Sequence, residues 1–295
     1  MGEPPSGRPK PGARTETGAK SGFRPKPALS QKPGGTQKPG VTRQQSERRE
    51  RFERARREQL RPDDLAVLYG WHTVKAALEN PARVIRRLLA TENAARRLTE
   101  DGVQATPEIV RPTAIVERLS ADAVHQGLYL EAEPLPSPDI GDIAARGAVL
   151  VFDQITDPHN VGAILRTAAG FDVAAVVTTA RHSPEATGAL AKAASGALEY
   201  VPIVTVQNLA RAMTELKERG YLLVGLDAEG DVDLGDAPLR APLALVLGAE
   251  GKGLRQLTRE TCDCVARLDL PGRIKSLNVS NAAALALYVA SRRLR

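Results

Sequence analysis

From Ala148 to the C-terminus, short apolar runs alternate with segments of helical periodicity, and this alternation narrows the possible folds more than any other feature. Strands are expected at 148–153, 173–178, 201–206, 221–227, 243–248 and 264–268. Helices are expected at 159–169, 184–196, 207–219, 253–261 and 279–294. Strands buried on both faces read as continuous apolar runs, as in Ala148-Val-Leu-Val-Phe152 and Leu243-Ala-Leu-Val-Leu247. Such runs separated by helices predict an α/β fold with a mostly parallel sheet covered on both faces.

In open parallel sheets, ligands bind beyond the carboxyl ends of the strands. Three segments following strands are rich in hydrogen-bonding groups. Asp153-Gln-Ile-Thr-Asp-Pro-His-Asn-Val-Gly-Ala-Ile-Leu-Arg-Thr-Ala-Ala-Gly170 follows the first run, and Gly248-Ala-Glu-Gly-Lys-Gly253 ends the fifth. After Leu268, the residues Pro271, Gly272, Ser276, Asn278, Ser280 and Asn281 supply turn formers and N-cap candidates. They lead into a terminal helix whose apolar face is expected at Leu285 and Val289. The three ends point to one composite site. A G-x-G-x-x-G fingerprint after the first strand is missing, and Gly251-Lys-Gly253 cannot replace it, so a dehydrogenase reading loses its main support.

Upstream, residues 66–133 form a small α/β unit. Val67-Leu-Tyr-Gly70 leads into a helix over Trp71–Glu79, followed by a strand at 84–90, a helix at 91–101 and a strand at 103–109. A helix at 113–119 and a strand at 128–132 complete it. Residues 134–146, opening with Pro134-Leu-Pro-Ser-Pro138, read as an extended linker, because each proline biases its predecessor away from helix.

Charge separates the remaining N-terminal segment. Residues 1–62 carry 16 Lys+Arg against 6 Glu, a balance of +10, while residues 63–295 carry 25 Lys+Arg against 29 Asp+Glu, or −4. With Lys-Pro repeated at 10, 26, 32 and 38 and almost no large apolar residues, residues 1–62 are expected to be a disordered basic tail. The tail either touches RNA phosphates or merely solubilises the protein. Cys262 and Cys264 are too few for a disulfide framework or a zinc site, and no metal is expected. No apolar stretch of about 20 residues occurs, so a soluble, cytoplasmic protein without a membrane partner is expected.

Several side chains could carry chemistry. Asn160 lies near a helix start with Pro158, and Arg166 nearly two turns on. They read either as an anion or ribose clamp or as a helix cap and a solvated cation. Glu250, between Gly248 and Gly251, either meets a ligand or occupies the first turn of a helix opened by Gly253. His159 lacks an identifiable acidic partner and is not assigned as a base, and His72, His125 and His182 give weaker signals still.

Asp157-Pro-His-Asn-Val-Gly-Ala-Ile-Leu-Arg-Thr-Ala-Ala-Gly-Phe171, Leu245-Val-Leu-Gly-Ala-Glu-Gly-Lys-Gly-Leu254 and Ser276-Leu-Asn-Val-Ser280 resemble, in order and spacing, the three motifs of the SpoU/TrmH family of the SPOUT superfamily. Tyr69-Gly-Trp-His72 and His125-Gln-Gly127 resemble the small substrate-binding domain of the RlmB-type 23S rRNA guanosine methyltransferases. The resemblance implies a ribose 2′-O-methyltransferase using S-adenosyl-L-methionine, with a C-terminal trefoil-knotted domain over 147–295 and a homodimeric assembly. It implies a reaction site of Asn160, Arg166, Glu250, Ser276 and Asn278, and a cofactor pocket lined by Gly248, Leu268, Leu270 and Leu277. One departure is Leu268-Asp-Leu-Pro271, where the family commonly has Ile-Pro-Met. The implied substrate is a guanosine in 23S rRNA. Alternatives are tRNA ribose methylation and a non-catalytic RNA-binding assembly factor on the same scaffold; the small N-terminal domain favours rRNA.

Overall fold

A computed structural model describes residue 2 and residues 64–120, 123–181 and 188–294. Apart from residue 2, the basic tail expected over 1–62 lies outside the described residues, as do His182 and the expected helix start at 184–187. Two sheets organise what is described. Strands β1 (Ala66–Tyr69), β2 (Ile85–Ala90), β3 (Glu108–Ile109) and β4 (Leu128–Ala132) form a four-stranded sheet in the order β1-β4-β2-β3. It carries helices α1 (Trp71–Glu79), α2 (Glu92–Glu100) and α3 (Pro112–Val116). The strand expected at 103–109 shrinks to two residues, both exposed at the sheet edge, where neither face gains apolar burial.

The second sheet contains β5 (Ala148–Asp153), β6 (Val176–Thr179), β7 (Ile203–Val206), β8 (Leu222–Leu226), β9 (Val232–Asp233), β10 (Leu243–Gly248) and β11 (Cys264–Arg267). Its order is β7-β6-β5-β10-β8-β11-β9, and every pairing is parallel. The central strands are apolar throughout because both faces are covered: Val149, Leu150, Val151, Ala244, Leu245 and Val246 are fully buried. Helices α4 (Pro158–Gly170), α5 (Gly188–Ala194), α6 (Leu209–Glu218), α7 (Gln256–Thr261) and α8 (Val279–Arg293) complete the unit.

Sequence periodicity misplaces some details. The short edge strand β9 carries no periodic signal and was not expected. The helix expected at 253–261 starts instead at Gln256, because Gly251 and Gly253 adopt positive φ of 73° and 63° and Ala249 bridges back to Gly253. The terminal helix buries Val279, Ala283, Ala286, Leu287 and Ala290, whereas Leu285 is 45% exposed and Val289 only partly buried. Helix α8 packs on α4, and three of the five residues it buries are alanines. The expected linker is also fastened down. Thr205 N–H donates to Ser137 Oγ, Arg219 binds the carbonyls of Gly141 and Ile143, and Tyr221 donates to the Ala144 carbonyl.

The two motifs of the small unit meet each other. Gly70 cannot cap α1 with a side chain, and Gln126 Oε1 instead accepts from Trp71 N–H at 2.8 Å. Gln126 adopts φ of 51° to do so, and His125 Nδ1 accepts from Gly127 N–H at 3.0 Å.

Candidate active site at the carboxyl edge of the parallel sheet

Helix α4 begins where β5 ends. Asp157 caps it, accepting from His159 N–H, and Pro158 occupies the first turn, where no amide hydrogen is needed. The cap places Asn160 in that first turn, 8% exposed, with its side chain beside the start of α8. His159 is exposed and contributes only its backbone to the cap. Directly after β5, Gln154 holds a left-handed φ of 63°, a conformation costly for a side-chain-bearing residue and concentrated at functional turns.

Asn278 caps α8 and joins all three motifs. Its Oδ1 accepts from Ser280 N–H at 2.9 Å, which leaves the amide nitrogen as the donor group. Asn278 Nδ2 then donates to Asn160 Oδ1 at 2.9 Å and to Glu250 Oε1 at 2.6 Å, and Glu250 Oε1 also accepts from Val279 N–H at 3.3 Å. Residues separated by more than a hundred positions therefore form one polar cluster. Asn160 Nδ2 and Glu250 Oε2 have no hydrogen-bond partner among the described residues. Glu250 lies in the turn before α7 rather than in its first turn.

Arg166 is exposed and stays outside this cluster, making no hydrogen bond or ion pair among the described residues. Six residues along a helix amount to about 9 Å of rise and a rotation of about 240°, so Arg166 leaves α4 in a different direction from Asn160. Ser276 is exposed and lines the adjoining cavity without a hydrogen bond among the described residues.

That cavity, of about 480 Å³, opens at the ends of β8, β10 and β11. Gly248, Leu268, Leu270 and Leu277, expected to hold a cofactor, all line it. Gly248 could not be another residue without rearrangement, since a Cβ there would lie 2.3 Å from the backbone C and O of Gly253. Sequence reasoning missed Asp227, Glu229 and Arg259 on the same wall. Asp227 Oδ2 accepts from Leu254 N–H at 3.3 Å and lies 3.4 Å from Arg259, tying the end of β8 to the glycine turn. The acidic turn Asp227-Ala-Glu-Gly230 at the end of an apolar strand was the available signal.

Two further carboxylates brace the site. Asp153, 1% exposed, accepts from both Arg255 N–H at 2.9 Å and Arg255 Nε at 2.6 Å, linking the end of β5 to the start of α7. Asp233 accepts from the N–H groups of Asp269 at 2.9 Å and Gly235 at 2.7 Å. Those backbone donors hold the Asp233 carboxyl below the usual carboxylate range. Asp269, where the chain departs from the family pattern, thereby becomes an anchor of the segment entering the cavity, and its side chain also pairs with Arg267 at 2.7 Å.

Comparison with known proteins fits this geometry. Residues 147–288 match the SpoU rRNA Methylase family, and residues 67–138 match the RNA 2′-O ribose methyltransferase substrate binding family. The chain is 38% identical over 241 residues to the 23S rRNA (guanosine-2′-O-)-methyltransferase RlmB of Vibrio cholerae, spanning 77% of this chain and 96% of that one. The chain belongs to the SpoU rRNA methylase family. It is also 38% identical to the enzyme of the same name from Ralstonia nicotianae, over 77% of this chain and 95% of that one. Among solved structures, the SpoU methyltransferase AviRb from Streptomyces viridochromogenes, in complex with AdoMet, superposes with a TM-score of 0.68 at 26% identity. That superposition covers 82% of this chain and 93% of AviRb. Among the described residues of this SpoU family member, no group of three His, Cys, Asp or Glu side chains could hold a metal ion. No described helix is long and apolar enough to cross a membrane.

Proposed function

We propose that this protein transfers a methyl group from S-adenosyl-L-methionine to the 2′-hydroxyl of a guanosine in 23S rRNA. The observation that carries the reading is the Asn160–Asn278–Glu250 cluster at the mouth of the 480 Å³ cavity, in a chain 38% identical to 23S rRNA guanosine-2′-O-methyltransferases. The cavity suits the cofactor: leucines 268, 270 and 277 offer apolar walls, and Gly248 lets the backbone close against the turn. When bound, the cofactor supplies a methyl group already activated on a sulfonium.

The remaining task is to align a weak nucleophile and assist loss of its proton. Asn160 Nδ2 and Glu250 Oε2 are positioned by Asn278 to bind the ribose and neighbouring polar groups. Arg166 acts as an electrostatic clamp on a phosphate and the reacting hydroxyl. Ser276 lies on the same rim, beside Leu277. Residues 147–295 are the methyltransferase domain, joined through 134–146 to a substrate-binding domain over 66–133.

The working form is a homodimer in the cytoplasm. Support comes from Arg166, exposed and outside the cluster of its own chain, and from Leu285 and Tyr288, 45% and 56% exposed on α8, which packs on the same helix as Arg166. A second copy covering α4 and α8 buries those side chains and completes the site. The C-terminal segment is read as threaded into a trefoil knot. Insertion of β10 between β5 and β8, and of β11 between β8 and β9, supports this. So does the close approach of Gly230 to the Ala266–Arg267 backbone.

The test is to map 2′-O-methylated nucleotides in rRNA and tRNA from a deletion strain and to restore them with purified protein. Loss of one guanosine methylation in 23S rRNA is expected; loss confined to tRNA would exclude the assignment. Failure of the protein to bind S-adenosyl-L-methionine in calorimetry while binding rRNA would instead identify an assembly factor.

A further inference from the structure

The small unit is locked to the methyltransferase unit by groups with no place in the reaction above. Arg83, in the turn between α1 and β2, and Glu199, in the 3-10 turn Ala197–Glu199, form an ion pair whose side chains are 3% and 1% exposed. Arg83 Nη2 meets Glu199 Oε1 at 2.5 Å and Arg83 Nε meets Glu199 Oε2 at 3.2 Å. Arg83 Nη1 donates to the Glu133 carbonyl at 2.8 Å, and Asn80 Nδ2 donates to Glu199 Oε2 at 2.7 Å. Thr73 Oγ1 also donates to the Ala191 carbonyl at 3.2 Å. Gly196 packs so closely that a Cβ there would sit 2.9 Å from Ala76 Cβ and 3.0 Å from the His72 carbonyl oxygen.

Helix α5 and the 3-10 turn that follows it face two ways. One side carries these contacts, and Leu190, Ala194 and Leu198 share an apolar cluster with Leu68, Trp71 and Val74. The other side packs on α4, where a Cβ on Gly162 would lie 2.4 Å from Ala193 Cβ. The chain between the units has little slack. Glu133 N–H is bonded to the Val84 carbonyl in one unit and Ser137 to Thr205 in the other, leaving residues 134–136 between the anchors.

We infer that Glu199, with Arg83 and Asn80, is a positioning centre that sets the distance between RNA held by the small unit and the ribose presented at Asn160, Glu250 and Asn278. This rests on the function proposed above. Apolar contacts alone let two surfaces slide at small cost, because the hydrophobic effect is non-directional. A buried, multiply hydrogen-bonded ion pair tolerates one geometry, and breaking it strands a charge.

The experiment uses the full chain and two variants, Glu199→Gln and the double variant Arg83→Met with Glu199→Leu, which leaves no stranded charge. Methyl transfer is followed on a 23S rRNA transcript and on a short fragment of it trimmed to the few nucleotides around the target. Both variants are expected to raise KM for the transcript about tenfold, within the range carried by packed networks. The cofactor Kd should stay within about twofold, kcat nearly unchanged, and activity on the fragment equal to wild type. Faster hydrogen exchange at residues 66–79 and 188–199 should accompany the change. An unchanged KM for the transcript despite faster exchange overturns the positioning role, as does an equal loss on the fragment. A wild-type protein that transfers no methyl group to the transcript instead defeats the function on which the inference rests.

Discussion

Replacing Gly248 by Ala tests whether the cavity at the strand ends is the cofactor site. A methyl group at this position meets Gly253 C and O at 2.3 Å and Leu254 N at 2.6 Å, all of them backbone atoms that cannot rotate away. Relief requires the glycine turn to move by roughly 1 Å, since non-bonded carbon atoms settle at about 3.5–4.0 Å. Overpacking of this kind typically costs about 1–3 kcal/mol. The distorted turn, Gly248–Leu254, is itself a wall of the cavity, so that cost falls on the ligand-binding conformation. At about 1.4 kcal/mol per factor of ten, the Kd for S-adenosyl-L-methionine should rise by about 5- to 150-fold. Isothermal titration calorimetry measures this directly, alongside the melting temperature. Gly272→Ala is the control, because nothing lies within 4 Å of a Cβ there and its φ is not positive. Gly248→Ala binding the cofactor as tightly as Gly272→Ala would refute the assignment of this cavity.

Arg166→Ala should abolish most methyl transfer while leaving cofactor affinity within about twofold, because the exposed guanidinium makes no contact within the cluster; comparable loss of cofactor binding in calorimetry would place Arg166 on the wrong side of the site. The Asp233 carboxyl is held below its ordinary range by Asp269 and Gly235 N–H groups, so its stabilisation is complete above the unfolded pKa of about 3.9 and lost as pH falls through the lowered folded value. Protection of the Asp269 amide, taken relative to its intrinsic exchange rate at each pH, should therefore fall on acidification below about pH 4 in the wild type, and Asp233→Asn should flatten that response; identical profiles would sink the idea. Deleting residues 1–62, which carry +10 of charge, should reduce the salt dependence of RNA binding and raise KM for RNA with little change in the saturated rate; equal affinity and equal salt slope for the two proteins would mark the segment as inert.

The parallel sheet was legible in the chain because a strand buried on both faces must be apolar along its whole length, as 148–152 and 243–247 are. The three polar segments were legible because they interrupt that pattern at strand ends, and Asp157-Pro158 and Asn278 carry local capping chemistry that a sequence displays directly. Cap and turn signals act over a few residues, so they survive without knowledge of the rest of the fold.

Only the tertiary structure decided which of these groups meet. Asn278 reaches Asn160 and Glu250 because β10 is inserted beside β5 and α8 returns onto α4, a pairing that no local propensity specifies. The direction of the apolar face on α8 was misread at Leu285 and Val289 because the face turned inward is set by where α4 lies, and that face carries Val279, Ala283, Ala286, Leu287 and Ala290. The fastened linker and the Arg83–Glu199 pair were invisible for the same reason. Their partners are contributed by chain segments 50 to 116 residues apart, and a charge in a sequence reads as solvated until the fold buries it beside its counterpart.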